Sequence, residues 1–278
     1  MALIVRGTAG DDEIITQGGE GPNEDVRALG GDDVIINMGG SDTFNGGAGN
    51  DTLYTPLDND LFPQFEPFSF AVEFNLLTGI HGRADSTIGQ DTLISIENYF
   101  FTGNFHVIAT GDKKSNVFMT DTGDDILSGN GGRDYLFSGD GDDTLSGGSG
   151  GDLLGGGAGN DLLNGGIGKD VLGGGGGRDV FEFSSIRDSS ARAKKADKIV
   201  DFKQGKDKID LSAIDDFDFI APGNVGADVG PEVTYTQIDG PRNKDWTVVS
   251  LDQDGDGDAE MVIRLKGLID LTADDFIL

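Results

Sequence analysis

Residues 111–182 fall into eight consecutive nonapeptides that approximate Gly-Gly-x-Gly-x-Asp-x-apolar-x, and a repeat this short leaves few folds open. The cleanest copies begin at Gly156 and Gly165. The sixth positions read Asn116, Asp125, Asp134, Asp143, Asp152, Asp161, Asp170 and Asp179. The eighth positions read Phe118, Leu127, Leu136, Leu145, Leu154, Leu163, Leu172 and Phe181. Glycine enters backbone conformations closed to other residues, so each Gly-Gly-x-Gly predicts a tight turn. The next three residues predict a short strand whose middle side chain points inward. Two units make one coil, and a short unit with one apolar residue predicts a parallel β-helix cored by a ladder of eighth-position side chains.

That ladder is a thin core, and ordering so many glycines costs more entropy than ordering other residues. Something else must hold the turns. On alternate sides of the coil the sixth-position residues stack in two rows, one of Asp125, Asp143, Asp161 and Asp179, the other of Asp134, Asp152 and Asp170 with Asn116 at its end. Stacked carboxylates repel unless a cation lies between them. Carboxylates mixed with backbone carbonyls are hard oxygen donors that suit calcium; magnesium demands stricter geometry and keeps its waters. The competing description, an unfolded Gly/Asp linker, does not explain an apolar residue held in register through eight units. Without metal, the linker description holds.

With these residues the chain resembles the repeats-in-toxin (RTX) family of secreted calcium-binding proteins. The resemblance implies an all-β fold, a calcium-stabilised β-roll solenoid with a β-rich C-terminal cap. It implies several calcium ions, each between turns i and i+2, bound by sixth-position aspartates and glycine-turn carbonyls. Carried over, the sites lie between Asp125 and Asp143, Asp143 and Asp161, Asp161 and Asp179, Asp134 and Asp152, and Asp152 and Asp170. Gly148, Gly150, Gly157, Gly159, Gly166 and Gly168 add carbonyls. Asn116 departs from the motif. A first repeat block covers residues 1–54, with a perfect copy from Gly46 to Tyr54. Counting back by nines gives Asp51, Asp42, Asp33 and Glu24 at position six, and calcium is expected between Asp33 and Asp51 and between Glu24 and Asp42. A three-residue insertion, Thr16 to Gly18, shifts Asp12 out of register.

Residues 55–110 interrupt the motif. The Phe-rich stretch Leu61 to Phe70 reads as a hydrophobic plug or a ligand patch. The runs from Ala71 to Leu77, Asp91 to Ile96 and His106 to Ala109 read as strands of metal-poor coils, with Val107 where an aspartate is expected. Residues 183–278 hold only eight glycines. The basic stretch Arg187 to Lys198 reads as a solvated connection, and Asp197 to Ser212 resembles the segment that follows the repeats in serralysin-type proteases, part of a β-rich cap. Asp252, Asp254, Asp256 and Asp258 have the spacing of half an EF-hand loop, but Ile263 stands where its last glutamate belongs. Both a calcium loop closed by Glu260 and a plain acidic hairpin fit that stretch.

The chain carries 50 acidic and 20 basic residues, a net charge of −30, which opposes compaction until cations relieve it. Extracellular calcium sites work at roughly 10⁻⁴–10⁻³ M, so folding is expected outside the cell. There is no cysteine, no apolar run long enough to span a membrane and no N-terminal signal pattern. Asp274-Asp275-Phe276-Ile277-Leu278 resembles the uncleaved secretion signal of serralysin-type proteins, which implies type I export to the exterior or the cell surface. His-Glu-x-x-His is absent, and Gly147-Gly148-Ser149-Gly150-Gly151 sits inside a repeat rather than in a nucleophile elbow. The leading expectation is a non-enzymatic binding, adhesion or matrix module, with acidic polysaccharide or surface glycan as partner and self-assembly open. Nucleic acid and stable membrane insertion are not expected. The alternative is a polysaccharide-modifying enzyme using His81, Arg83, Tyr99 and His106 along the 55–110 stretch; a membrane-perturbing chain ranks below it.

Overall fold

The computed structural model describes residues 3–15, 24–36, 43–49, 51–56, 71–75, 80–83, 91–94, 97–102, 106–221, 230–241 and 244–278. Among them there are strands, turns and a single short 3₁₀ turn, with no α-helix. The protein is all-β and solenoidal, and its contacts divide into two compact units. Asp42 and the Phe-rich stretch 61–70 lie outside the described residues.

In the first unit, residues 1–131 with 135–141, one sheet stacks Glu13–Ile15, Val34–Ile36, Thr52–Pro56, Asn98–Thr102, Val117–Met119 and Tyr135–Asp140 in parallel register. Ile35 faces Leu53, Leu53 faces Tyr99, and Tyr99 faces Phe118, all fully buried. Opposite them Leu3–Arg6, Glu24–Arg27, Thr43–Asn45 and Asp91–Ile94 follow in parallel. The three anticipated runs form strands, Ala71–Asn75, Asp91–Ile94 and His106–Thr110. Coils alone do not account for this region, however. Ile80–Arg83 inserts between two of these strands, antiparallel to both. The motif breaks here because the chain leaves the coil to make a meander.

In the second unit, residues 132–134 with 142–278, the coils are more regular. Thr144–Ser146, Leu162–Asn164, Val180–Glu182, Lys208–Asp210 and Phe276–Ile277 pair in parallel, as do Leu153–Ala158, Val171–Gly176, Asp197–Ile199 and Met261–Lys266. Leu145, Leu154, Leu163, Leu172 and Phe181 are at most 1% exposed, so the eighth-position ladder is the core. Burying one such side chain contributes about 1.5–3 kcal/mol. The cap continues both sheets: Ile199 and Ile209 extend the ladder, and one sheet goes on through Trp246–Asp252 and Glu232–Ile238 as antiparallel strands to Asp218–Phe219, which pairs in parallel at its edge. Phe276–Ile277 is the last strand of the other. The stretch Arg187 to Lys198 is only partly solvated. Asp188 and Ser189 are buried, and Ser189 Oγ donates to the Val262 carbonyl while accepting the Asp197 N–H.

Candidate metal centre

Each described sixth-position aspartate sits where its strand begins, two residues before the buried apolar side chain. The strand's pleat therefore turns the carboxylate in at the coil's edge rather than out to water. Asp33, Asp51, Asp125, Asp134, Asp143, Asp152, Asp161, Asp170 and Asp179 are each at most 2% exposed.

The carboxylates form ladders of one repeating contact. In the second unit the Asp134 N–H donates to Asp152 Oδ1 at 2.8 Å, the Asp152 N–H to Asp170 Oδ1 at 2.7 Å, and the Asp170 N–H to Asp197 Oδ1 at 2.8 Å. The other row runs Asp143 N–H to Asp161 Oδ1 at 3.0 Å, Asp161 N–H to Asp179 Oδ1 at 3.2 Å, and Asp179 N–H to Asp207 Oδ1 at 3.2 Å. In the first unit the Asp12 N–H donates to Asp33 Oδ1, the Asp33 N–H to Asp51 Oδ1, and the Asp51 N–H to Glu97 Oε2. Asp12 joins its row despite the insertion, which lengthens that step to 21 residues from the 18 seen from Asp33 to Asp51. The Val107 N–H donates to Asp125 Oδ1, so Val107 occupies an aspartate's place in the stack.

The second oxygen of each carboxylate is the chemically active feature. Oδ2 of Asp33, Asp51, Asp152, Asp161, Asp170, Asp179 and Asp197 is buried and accepts no hydrogen bond from the described residues. In Asp152, Asp161, Asp170 and Asp179 this oxygen points into the glycine turn of its own repeat. A methyl group on Gly147 would lie 2.7 Å from Asp152 Oδ2, and one on Gly165 would lie 2.8 Å from Asp170 Oδ2. Carbonyl oxygens also line the stack: those of Gly148, Gly150, Gly157 and Gly159 face the Cα atoms of Gly166, Gly168, Gly175 and Gly177, one coil on. The Gly148 carbonyl also accepts the Ile167 N–H at 2.7 Å. A buried carboxylate oxygen without a partner is costly, and either a proton or a cation relieves it. Burial pushes Asp161 and Asp170 up to about 7 and Asp197 up to about 8; neighbouring carboxylates push the same way, and the N–H donated to each Oδ1 opposes it. Asp51, Asp152 and Asp179 are also raised, chiefly by burial. Hard oxygen donors held so close suit a divalent cation.

Asp197, Asp207 and Glu97 take part in the ladders although no nonapeptide contains them. Their signal was present as Asp197-Lys198-Ile199, Asp207-Lys208-Ile209 and Glu97-Asn98-Tyr99, an acid two residues before a buried apolar side chain. Glu97 also pairs with Lys114 Nζ. Asn116 fits as an amide because it must donate as well as accept: its Nδ2 bonds the Glu97 carbonyl, and its Oδ1 takes the Asp112 N–H. Tyr99 is a rung of the core, and His106 Nδ1 lies 2.9 Å from the Asp124 carbonyl oxygen and 3.1 Å from the Asp124 backbone nitrogen.

The C-terminal loop is a hairpin connection between Trp246–Asp252 and Met261–Lys266. It brings carboxylate oxygens of Asp252, Asp254, Asp256 and Glu260 within 4.8 Å of one another; Asp258 is not in this group. These carboxylates also serve the turn. Asp252 accepts the N–H groups of Gly255 and Gly257, and Glu260 accepts that of Gln253. Asp252→Ala should cost about 1–2 kcal/mol from the lost turn contacts. It should move the calcium midpoint of folding less than a ladder substitution does, as read by circular dichroism.

Compared by sequence, the chain matches no curated protein. Among solved structures it is similar to one subunit of the Azotobacter vinelandii mannuronan C5-epimerase, with 25% identity over 63% of this chain and 78% of that one and a TM-score of 0.32. A second subunit of that epimerase gives 26% identity over 63% and 92%, with a TM-score of 0.28. The extracellular lipase LipA from Serratia marcescens gives 19% identity and a TM-score of 0.35; all of this chain aligns, but it spans only 40% of the lipase. The family model described as Peptidase M10 serralysin C terminal matches residues 6–278. The chain therefore belongs to the serralysin C-terminal family, an RTX-type repeat domain.

Proposed function

We propose that this is a secreted calcium-binding module that folds on extracellular calcium and then works by binding, as an adhesive or matrix component at a cell surface. The observation that carries this reading is the set of buried, unpaired Oδ2 atoms along the aspartate ladders. Calcium between Asp33 and Asp51, Asp134 and Asp152, Asp152 and Asp170, Asp143 and Asp161, and Asp161 and Asp179 would supply what those oxygens lack. The carbonyls of Gly148, Gly150, Gly157 and Gly159 are placed to assist, and Gly166 and Gly168 continue the same stack. Type I export, signalled from the C-terminal residues, fits a chain whose self-repulsion keeps it open where calcium is scarce.

The test is a screen of the calcium-folded chain against acidic polysaccharides, with chelator controls, that reads retention and polymer length together. Calcium-dependent retention of intact polymer is expected. Shortened polymer, or polymer of altered sugar composition, would replace the binding module with an enzyme. No retention on any polymer would remove polysaccharide from the reading.

A further inference from the structure

The cap carries a cationic face that the acidic ladders do not explain. The sheet made by Asp197–Ile199, Met261–Lys266 and Trp246–Asp252 sends Ile199, Ile263, Leu265, Val249 and Leu251 into the core. On its other face Lys198 lies directly across from Arg264, and Trp246 lies across from Lys266. The Arg264 guanidinium sits 4.0 Å over the Trp246 ring, and Lys198 Nζ is 6.0 Å from the same ring. Trp246 in turn rests on Ala196, Val248 and Val262. Lys198 is held below the usual lysine range by burial and by the charges of Lys169 and Arg264. Among the described residues, none of these four cations forms an ion pair. In a chain with 50 acids and 20 bases, like charges left together without a carboxylate lack an anion.

We infer that this face binds a carboxylated polysaccharide, with Arg264 and Lys198 taking carboxylates and Trp246 flanking the sugar ring. The inference rests on the binding reading proposed above and gives it a place. A guanidinium stacked on an indole is held in plane and offers a carboxylate two parallel N–H donors. Neighbouring strands are about 4.8 Å apart, so Lys198 and Arg264 repeat positive charge across the sheet. An extended polymer with regularly spaced carboxylates can follow that row.

The test uses the full calcium-loaded chain at fixed free calcium. It is titrated calorimetrically with a short oligogalacturonate and with a neutral maltooligosaccharide of equal length. The uronate alone should bind. The double variant Lys198→Gln/Arg264→Gln should weaken that binding about tenfold or more, with the calcium midpoint of folding unchanged. Lys169→Gln/Lys266→Gln, at exposed positions, should also weaken it and serves if the first variant disturbs the sheet. Uronate binding that survives both variants would overturn this site and leave the binding reading standing. No uronate binding by the unsubstituted chain would overturn this inference and leave the binding reading to the polymer screen. Variants that change self-association in sedimentation but not uronate binding would assign the face to a second copy of the chain and overturn the inference.

Discussion

Asp161→Ala should raise the calcium concentration needed to fold the chain at least about tenfold, the scale on which losing a supporting group weakens a metal site. Asp161 belongs to two neighbouring steps of one row: its Oδ1 accepts the Asp143 N–H, and its own N–H donates to Asp179 Oδ1. Its Oδ2 is the free, buried oxygen that the proposed cation would engage. Removing the carboxylate therefore damages both adjoining sites and leaves a buried N–H of Asp143 without its acceptor. Asp161→Asn should fall between, because the amide oxygen can still accept that N–H while the charge is gone. In a calcium titration followed by circular dichroism, equal midpoints for Asp161→Ala and the unsubstituted chain would contradict the two-row arrangement. Repeat solenoids depend on nearest-neighbour contacts, so the same titration should show cooperativity weakened along with affinity.

Acid should substitute in part for calcium. A free aspartate titrates near 3.9. In the folded chain, burial raises Asp161 and Asp170 to about 7 and Asp197 to about 8. Between those values the folded state binds more protons than the unfolded state, so stability falls as pH rises. This proton-linked stability is fully present below about 3.9, and it is lost as the pH climbs through 7 to 8. The chelated chain should accordingly show more β-structure at pH 5 than at pH 8. The calcium dependence has the opposite sense, because calcium must displace those protons: the midpoint should rise as pH falls, and calcium added near pH 7 to a weakly buffered sample should release protons. A chelated chain that is more folded at pH 8 than at pH 5 would overturn this linkage.

The regular part of the molecule was legible because its signal is local and periodic. The eighth-position leucines from Leu145 to Leu172 are the core, and the sixth-position aspartates line the turns as their spacing implied. The irregular part escaped for a physical reason. A rung needs only an acid two residues before an inward apolar side chain; the glycine turn and the fixed spacing are features of the connection. Asp197 therefore continues its row 27 residues after Asp170, Asp207 follows Asp179 by 28, and Glu97 follows Asp51 by 46. A search by the 18-residue coil period passes over all three. The antiparallel strand Ile80–Arg83 was illegible for another reason: its place depends on partners chosen across the fold, which no short window of sequence contains.

The ladders also have a direction. In the buried rows each bridging carboxylate comes from the later coil and serves the N–H of the coil before it, as Asp33 does for Asp12 and Asp207 for Asp179, whereas the exposed Asp11 and Asp142 accept from the later Asp32 and Asn160. A segment at the growing edge is thus incomplete until its successor in sequence has arrived. Assembly that starts from the C-terminal cap always finds a finished acceptor waiting, because Asp197 and Asp207 are already set in the cap's own strands; assembly that starts from the other end leaves one backbone donor and one turn open at each step. The polarity of a single hydrogen bond, repeated along the stack, makes the cap the natural seed, and a chain cut short after Glu182 would lose its template as well as its cover.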